Sequence, residues 1–345
     1  MKKLLVLAVL AVLGVSILSA CGRGDERRLY LFNWGYFMDT SIFDDFYEEY
    51  GIRVVHQTYY SNLMMYARAI TMGQSYDLII PSDYMIERLI LEGHLSPINW
   101  DNIPNRQYVD PMFMGMPFDT GNRYSVPYMW GTMGLLYNPD MVGDRVVDSW
   151  SILWEEEFAG QVFLYNSERC TITVALHMLG HSANTRDISH FDAARDALIQ
   201  QRQLGTVLLG DEMVDRMIAN ERAFGVIYAG GAIRAMRGND SLRFVIPNEG
   251  AQLFLNSLVI PATSPRQEYA EKFINFLLRP EIGLRNTMFV GYATTNSGTF
   301  QMLPEDWQND PVYWASDEEI ARSEWFRDLG PVRDEIDRVW TEVWG

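Results

Sequence analysis

Cysteine is scarce. The 345 residues contain only Cys21 and Cys170, with no spacing that suggests a zinc site or a disulfide framework. A Gly-x-Ser-x-Gly elbow is missing, as is a glycine-rich loop that could cradle a phosphate. His177 and His181 stand four apart on a predicted helix, with no Glu between them and no third ligand in view. They read as a helix-surface pair rather than a metal site. Cys170 and His177 lie two helical turns apart, so Cys170 reads as a packed thiol rather than a nucleophile with its base. No enzymatic activity, cofactor or metal is expected. Positive charge is also short, with 28 Lys and Arg against 45 Asp and Glu, a net charge of −17. Removing the first twenty residues takes away Lys2 and Lys3 and leaves −19. Such a balance argues against nucleic acid, whose phosphates need basic patches, and permits long-range attraction of cations. Internal repeats and low-complexity linkers are both missing.

Apolar residues are plentiful, at 48%, and the length suggests two domains rather than one core. Aromatics reach 13%, with 10 Trp and 18 Tyr, enough to serve both cores and a binding surface. Met1-Lys2-Lys3 followed by an apolar run from Leu4 to Leu18 reads as a secretory signal, too short for a membrane span. Its end, Leu18-Ser19-Ala20-Cys21-Gly22, resembles the bacterial lipoprotein signal. That resemblance implies a lipidated Cys21 as the new N-terminus, with residues 21–28 as a tether. The protein is thus expected to be exported and held at a membrane by its lipid, in the periplasmic space or on the outer face of the cell membrane.

Three strand–helix units open the folded part. Strands are predicted at Leu29–Asn33, Ile52–His56 and Asp77–Pro81. Helices follow at Thr40–Tyr50, Ser61–Met72 and Met85–Leu91, stopped by Gly51, Gly73 and Gly93. This rhythm predicts a parallel sheet with helices on both faces, which binds ligands beyond the carboxyl ends of its strands. Tyr124–Asn138 reads as two β-prone runs broken at Gly131, where the chain crosses between lobes. Further on, helices are expected at Ser149–Phe158, Arg169–Leu179, His190–Gln203 and Asp211–Asn220. Strands are expected at Val162–Tyr165, Thr206–Leu209, Phe224–Tyr228, Phe244–Pro247 and Phe254–Ile260. Arg266–Leu278 is an amphipathic helix closed by Pro280, and Arg333–Val343 is the last helix.

Seven segments in register then resemble one family: Tyr30–Trp34 (YLFNW), Tyr76–Ser82 (YDLIIPS), Tyr124–Gly131 (YSVPYMWG), Leu179–Thr185 (LGHSANT), Asn256–Pro261 (NSLVIP), Phe273–Pro280 (FINFLLRP) and Val290–Asn296 (VGYATTN). Together they look like the spermidine/putrescine-binding proteins of bacterial ABC importers, over essentially the whole mature chain. The resemblance implies an α/β, two-lobe periplasmic-binding-protein fold of type II-like form. Each lobe would be a mainly parallel sheet flanked by helices, with a hinge of short crossings. Lobe 1 would comprise residues 29–131 plus 257–298, and lobe 2 residues 132–256 plus 299–345. A monomer that closes on a polyamine and hands it to an ABC permease is expected.

The family holds its ligand among aromatic rings, with carboxylates on the amines. A buried ammonium needs compensating charge, and ring faces add cation–π attraction. Carried over by position, Trp34, Ser82, Tyr84 and Tyr292 match the family. Phe37 stands for a tyrosine, and Tyr228 and Phe254 for tryptophans. The carboxylates are gone: Ser167 and Cys170 replace an Asp and a Glu, Asn256 replaces an Asp, and Phe326 replaces a Gln. Losing three hydrogen bonds to charged groups would cost roughly 4.5–9 kcal/mol, about 10³–10⁶ in affinity. Asp83 and Glu168 are candidate compensating acids, with Asp211 and Glu212 near other predicted strand ends. Two ligand readings stay open, a polyamine held by acids from new positions or a smaller, less cationic molecule. A sensor or adhesin lipoprotein without transport is the alternative of a different class. If the family geometry holds, Asn256→Asp raises the affinity for spermidine in calorimetry. Unchanged or weaker binding would put the ligand off that path.

Overall fold

Ser125–Tyr137 forms one unbroken 13-residue strand, β4, rather than two runs divided at Gly131. Every residue but its last is buried, which explains the near-continuous apolar pattern. The computed structural model describes residues 27–345. Cys21, the export signal and most of the tether lie outside the described residues.

The first sheet grows as its sequence pattern predicts. Strand β1 (Arg28–Trp34) lies parallel to β2 (Arg53–Tyr59) on one side and to β3 (Leu78–Ile79) on the other. Helix α1 (Ile42–Tyr50) joins β1 to β2 and ends on Gly51 in the left-handed region, φ 61°. After β2, Asn62–Tyr66 is α-helical and Ala67–Thr71 continues as a π-helical turn, with the Ser61 side chain accepting the Met64 N–H at the start. Helix α2 (Asp83–Leu91) follows β3. Strand β9 (Gln252–Val259) pairs antiparallel with both β3 and β4 and completes this half.

Beyond Thr132, β4 changes partners. Ser125–Thr132 pairs with β9, whereas Met133–Tyr137 pairs with β7 (Phe224–Tyr228). β8 (Arg243–Val245) pairs with the end of β4, and β5 (Val162–Tyr165) and β6 (Val207–Leu209) extend the second half in parallel. The main path of the sheet is β2-β1-β3-β9-β4-β7-β5-β6, with β8 and the short strand Ala293–Thr294 paired to β4 and Glu324–Trp325 paired to β9. Separate apolar clusters lie on either side of the change-over. One gathers Leu29, Phe46, Phe273 and Phe276, and another Trp150, Phe158, Phe191 and Phe224. Each buried side chain of this size contributes about 1.5–3 kcal/mol.

Several expected elements take other forms. Ser149–Phe158 is not a helix of α type but two short 3-10 segments, Trp150–Trp154 and Glu156–Phe158, divided at Glu155, whose extended backbone (φ −75°, ψ 129°) interrupts the helical turn. Pro280 does not merely close the amphipathic helix Gln267–Leu277. It occupies the first turn of a further helix, Pro280–Val290, where a missing N–H costs nothing. Ala229–Gly238 is a helix too, despite its paired glycines.

Gly250 has φ +88°, and a Cβ there would run into the carbonyl oxygen of Arg322. Gly250→Ala is expected to cost about 2 kcal/mol or more. Thermal unfolding checks this: a melting temperature within about 1 °C of the parent protein would contradict the close approach.

Candidate ligand-binding cleft

The ends of β1 and β3, the start of α2, the middle of β9 and the N-terminus of helix α3 (Glu168–Met178) converge where the two half-sheets meet. Aromatic rings fill this region in two groups. In the first, Phe37 lies 5.6 Å from Tyr292, Tyr292 5.3 Å from Phe254, and Phe254 5.2 Å from Tyr228. Tyr165, which sequence reasoning passed over, continues the row at 5.1 Å from Tyr228. Two glycines make room for it. A Cβ on Gly131 would sit 2.9 Å from the Phe254 ring, and one on Gly230 only 2.6 Å from the Tyr292 ring. Gly131 thus serves ring packing beside the crossing rather than a chain break.

The second group is polar. Ser82 Oγ donates to Asn256 Oδ1 at 2.9 Å, across an isolated β-bridge between these residues. Asn62, also absent from the sequence-based set, donates through Nδ2 to both Ser82 Oγ (3.2 Å) and Tyr84 Oη (3.1 Å). Tyr84 meets the edge of Phe326 at 6.1 Å. Burial pushes its hydroxyl up to about 12, so the ring stays neutral. Trp34 closes this side, donating from Nε1 to the Ile80 carbonyl at 2.8 Å and packing 4.6 Å from Tyr59.

Cys170 joins the two groups. Its Sγ lies 3.0 Å from Tyr228 Oη, and burial raises the thiol above its ordinary value. A neutral, packed thiol follows. Ser167 is the N-cap of α3 without a side-chain capping bond, and Glu168 starts the helix half-buried. Asp83 is fully buried in the first turn of α2, where Oδ1 accepts the Tyr84 N–H at 2.8 Å and Oδ2 has no partner. Burial drives its pKa up to about 8, against the opposing pull of that N–H and of Arg169. Asp211 and Glu212 are exposed, with Asp211 accepting a 3.3 Å bond from Tyr165 Oη.

Arg169 is the charged residue the sequence reading missed. Its guanidinium lies 4.5 Å over the Phe326 ring, and Nη2 donates to the Ala183 carbonyl and to Asn184 Oδ1. A signal was available: a cation in the first turn of a helix opposes the helix dipole, so its position asks for another reason. Nearby, Glu87 on α2 accepts a 2.9 Å bond from Arg327 Nε and a 2.8 Å bond from the Asp328 N–H. The expected surface pair His177/His181 is not one. His177 is buried, 3.8 Å from Glu324, while His181 lies past the helix end, stacked 3.8 Å on His190. His177 and His181 line a separate cavity of about 260 Å³ with Glu249, Arg322 and Glu324. Among the described residues, no group of three His, Cys, Asp or Glu side chains is placed to hold a metal ion.

Comparison with known proteins decides the family. Residues 41–314 match the sequence profile of the bacterial extracellular solute-binding proteins. This chain belongs to that family. It is 33% identical over 314 residues to the spermidine/putrescine-binding periplasmic protein of Escherichia coli, covering 91% of this chain and 90% of that one. It is 29% identical over 340 residues to spermidine/putrescine-binding periplasmic protein 1 of Haemophilus influenzae, covering 94% of each. A solved structure from Listeria monocytogenes, described as a spermidine/putrescine ABC transporter, superposes with a TM-score of 0.87 at 34% identity, over 92% of this chain and 98% of that one. The substrate-binding protein of a Streptococcus pneumoniae spermidine/putrescine ABC transporter gives 0.79 at 33% identity, over 92% and 99%. The fold is therefore the mixed α/β periplasmic-binding-protein fold, and the protein is a solute-binding component of an importer system rather than an enzyme.

The raised pKa of Asp83 makes a prediction about stability. The folded state holds this proton more tightly than the unfolded chain, whose Asp titrates near its ordinary 3.8. Stability from this group is therefore full below about pH 4 and is lost as pH rises towards about 8. Asp83→Asn should gain in melting temperature over the parent as pH rises from 5 to 8. A constant difference across that range would show that Asp83 is charged throughout.

Proposed function

We propose that this protein captures a small amine of the polyamine class in the ring-lined region between its half-sheets and delivers it to an ABC permease. The observation that carries this reading is the unbroken row Phe37–Tyr292–Phe254–Tyr228, accompanied by Trp34 at the end of β1 and Tyr84 in the first turn of α2. Rings in this arrangement pack methylene carbons and offer their faces to an ammonium. Ser82, Asn256 and Tyr84 supply polar contacts at one end, and Cys170 and Ser167 approach from α3. The relatives named for spermidine and putrescine support the same class of ligand.

On this reading residues 29–131 plus 257–298 form lobe 1, and residues 132–256 plus 299–345 form lobe 2. The change of partner at Thr132–Met133 supports the first boundary. Glu87, held by Arg327 and by the Asp328 N–H, then draws the lobes together across the cleft. Cys21 carries the lipid that keeps the protein at the membrane surface near its permease. The exported, extracytoplasmic setting agrees with the periplasmic relatives.

Trp34→Ala and Tyr84→Ala are expected to abolish binding of any amine that the parent protein takes up in calorimetry, with the circular dichroism spectrum preserved. Normal binding by either variant would move the ligand site elsewhere.

A further inference from the structure

The charges around the rings are not distributed as two ammonium ends would require. At the Tyr84–Phe326 end the charged groups acting on Tyr84 are Arg169 and Asp83. At the other end Asp211 acts on Tyr292 more strongly than Arg234, and Asp211 also takes the Tyr165 hydroxyl. One end is therefore acidic. The other holds the Arg169 guanidinium and the fully buried Asp83 carboxyl, whose pKa burial raises.

Arg169 is also incompletely satisfied. Its Nη2 is tied to Ala183 and Asn184, which fixes the plane of the guanidinium against Phe326. Its Nε–H is buried and has no acceptor. Buried donors are almost always bonded, and a charged one asks for an oxygen acceptor rather than a second cation. Asp83 and Asp328 both act on Arg169, yet neither accepts a hydrogen bond from its Nε.

We propose that the ligand carries one ammonium and, at its other end, an oxygen acceptor read by Arg169: a short alkylamine ending in a carboxylate or an acyl amide. Its ammonium end lies among Tyr165, Tyr228, Phe254 and Tyr292, on the side of Asp211. Its oxygen end meets Nε of Arg169 beside Tyr84 and Phe326. This rests on the reading that the ring-lined cleft is the ligand site, and it makes Arg169 the residue that sets specificity there.

Calorimetry on the purified protein with four probes tests it: putrescine, spermidine, N-acetylputrescine and 4-aminobutyrate. At least one of the last two is expected to bind about 10- to 100-fold more tightly than putrescine, the range of one hydrogen bond to a charged group. Which of them wins separates an acyl amide from a carboxylate. Arg169→Gln should erase that preference, with circular dichroism as the check on folding. If that variant does not fold, the order of the four probes on the unmodified protein decides alone. Equal or tighter binding of putrescine or spermidine overturns the inference and leaves the cleft reading standing. No heat from any of the four overturns both.

Discussion

The pairing of β4 with β9 is the constraint on which everything else depends. Ser125–Thr132 runs antiparallel to Leu253–Val259, and the same strand then leaves β9 to pair with β7 and β8. A one-residue slip would turn every side chain of a fully buried strand to the wrong face, so its register is strongly held. Because β4 belongs to both half-sheets, it places the strand ends of one opposite the helix N-termini of the other. The close fit of Gly131 to Phe254 and of Gly230 to Tyr292 is possible only with that register.

From this frame follows the division of labour in the cleft. Ser82 stands at the N-cap of α2, Asp83 and Tyr84 open it, and Glu87 follows one turn on. A single helix thus contributes polar contacts, a buried acid and the partner of Arg327. α3 answers with Ser167 at its N-cap and Arg169 and Cys170 in its first turn, which bring a hydroxyl, a cation and a neutral thiol.

Much of the frame was legible in the order of residues. The glycine stops at 51, 73 and 93 all adopt left-handed φ, and the first three strands lie parallel as their alternation with helices required. The rings named from the sequence at expected strand ends lie on several kinds of element: Trp34 and Tyr228 do end strands, whereas Phe254 sits in mid-strand and Tyr84 in the first turn of a helix. What could not be read depended on contacts far apart in the chain. The apolar run from Ser125 to Tyr137 does not reveal that it changes partner without breaking, since pairing leaves no local mark. Pro280 looked like a terminator because a proline after a helix and one opening the next are alike in one dimension. His177 looked exposed until Glu324, 147 residues later, packed against it. Arg169 sat between two positions already of interest, yet its burial comes from Phe326, Ala183 and Asn184, none of them its neighbour in sequence.

The most direct measurement is a crystal structure of the protein purified without refolding, with its natural ligand retained. The account predicts density between Trp34, Tyr84, Phe254 and Tyr292, with an oxygen within hydrogen-bonding distance of Arg169 Nε. Density confined to the cavity beside His177 and Glu249, or a second ammonium placed against Arg169, would contradict it.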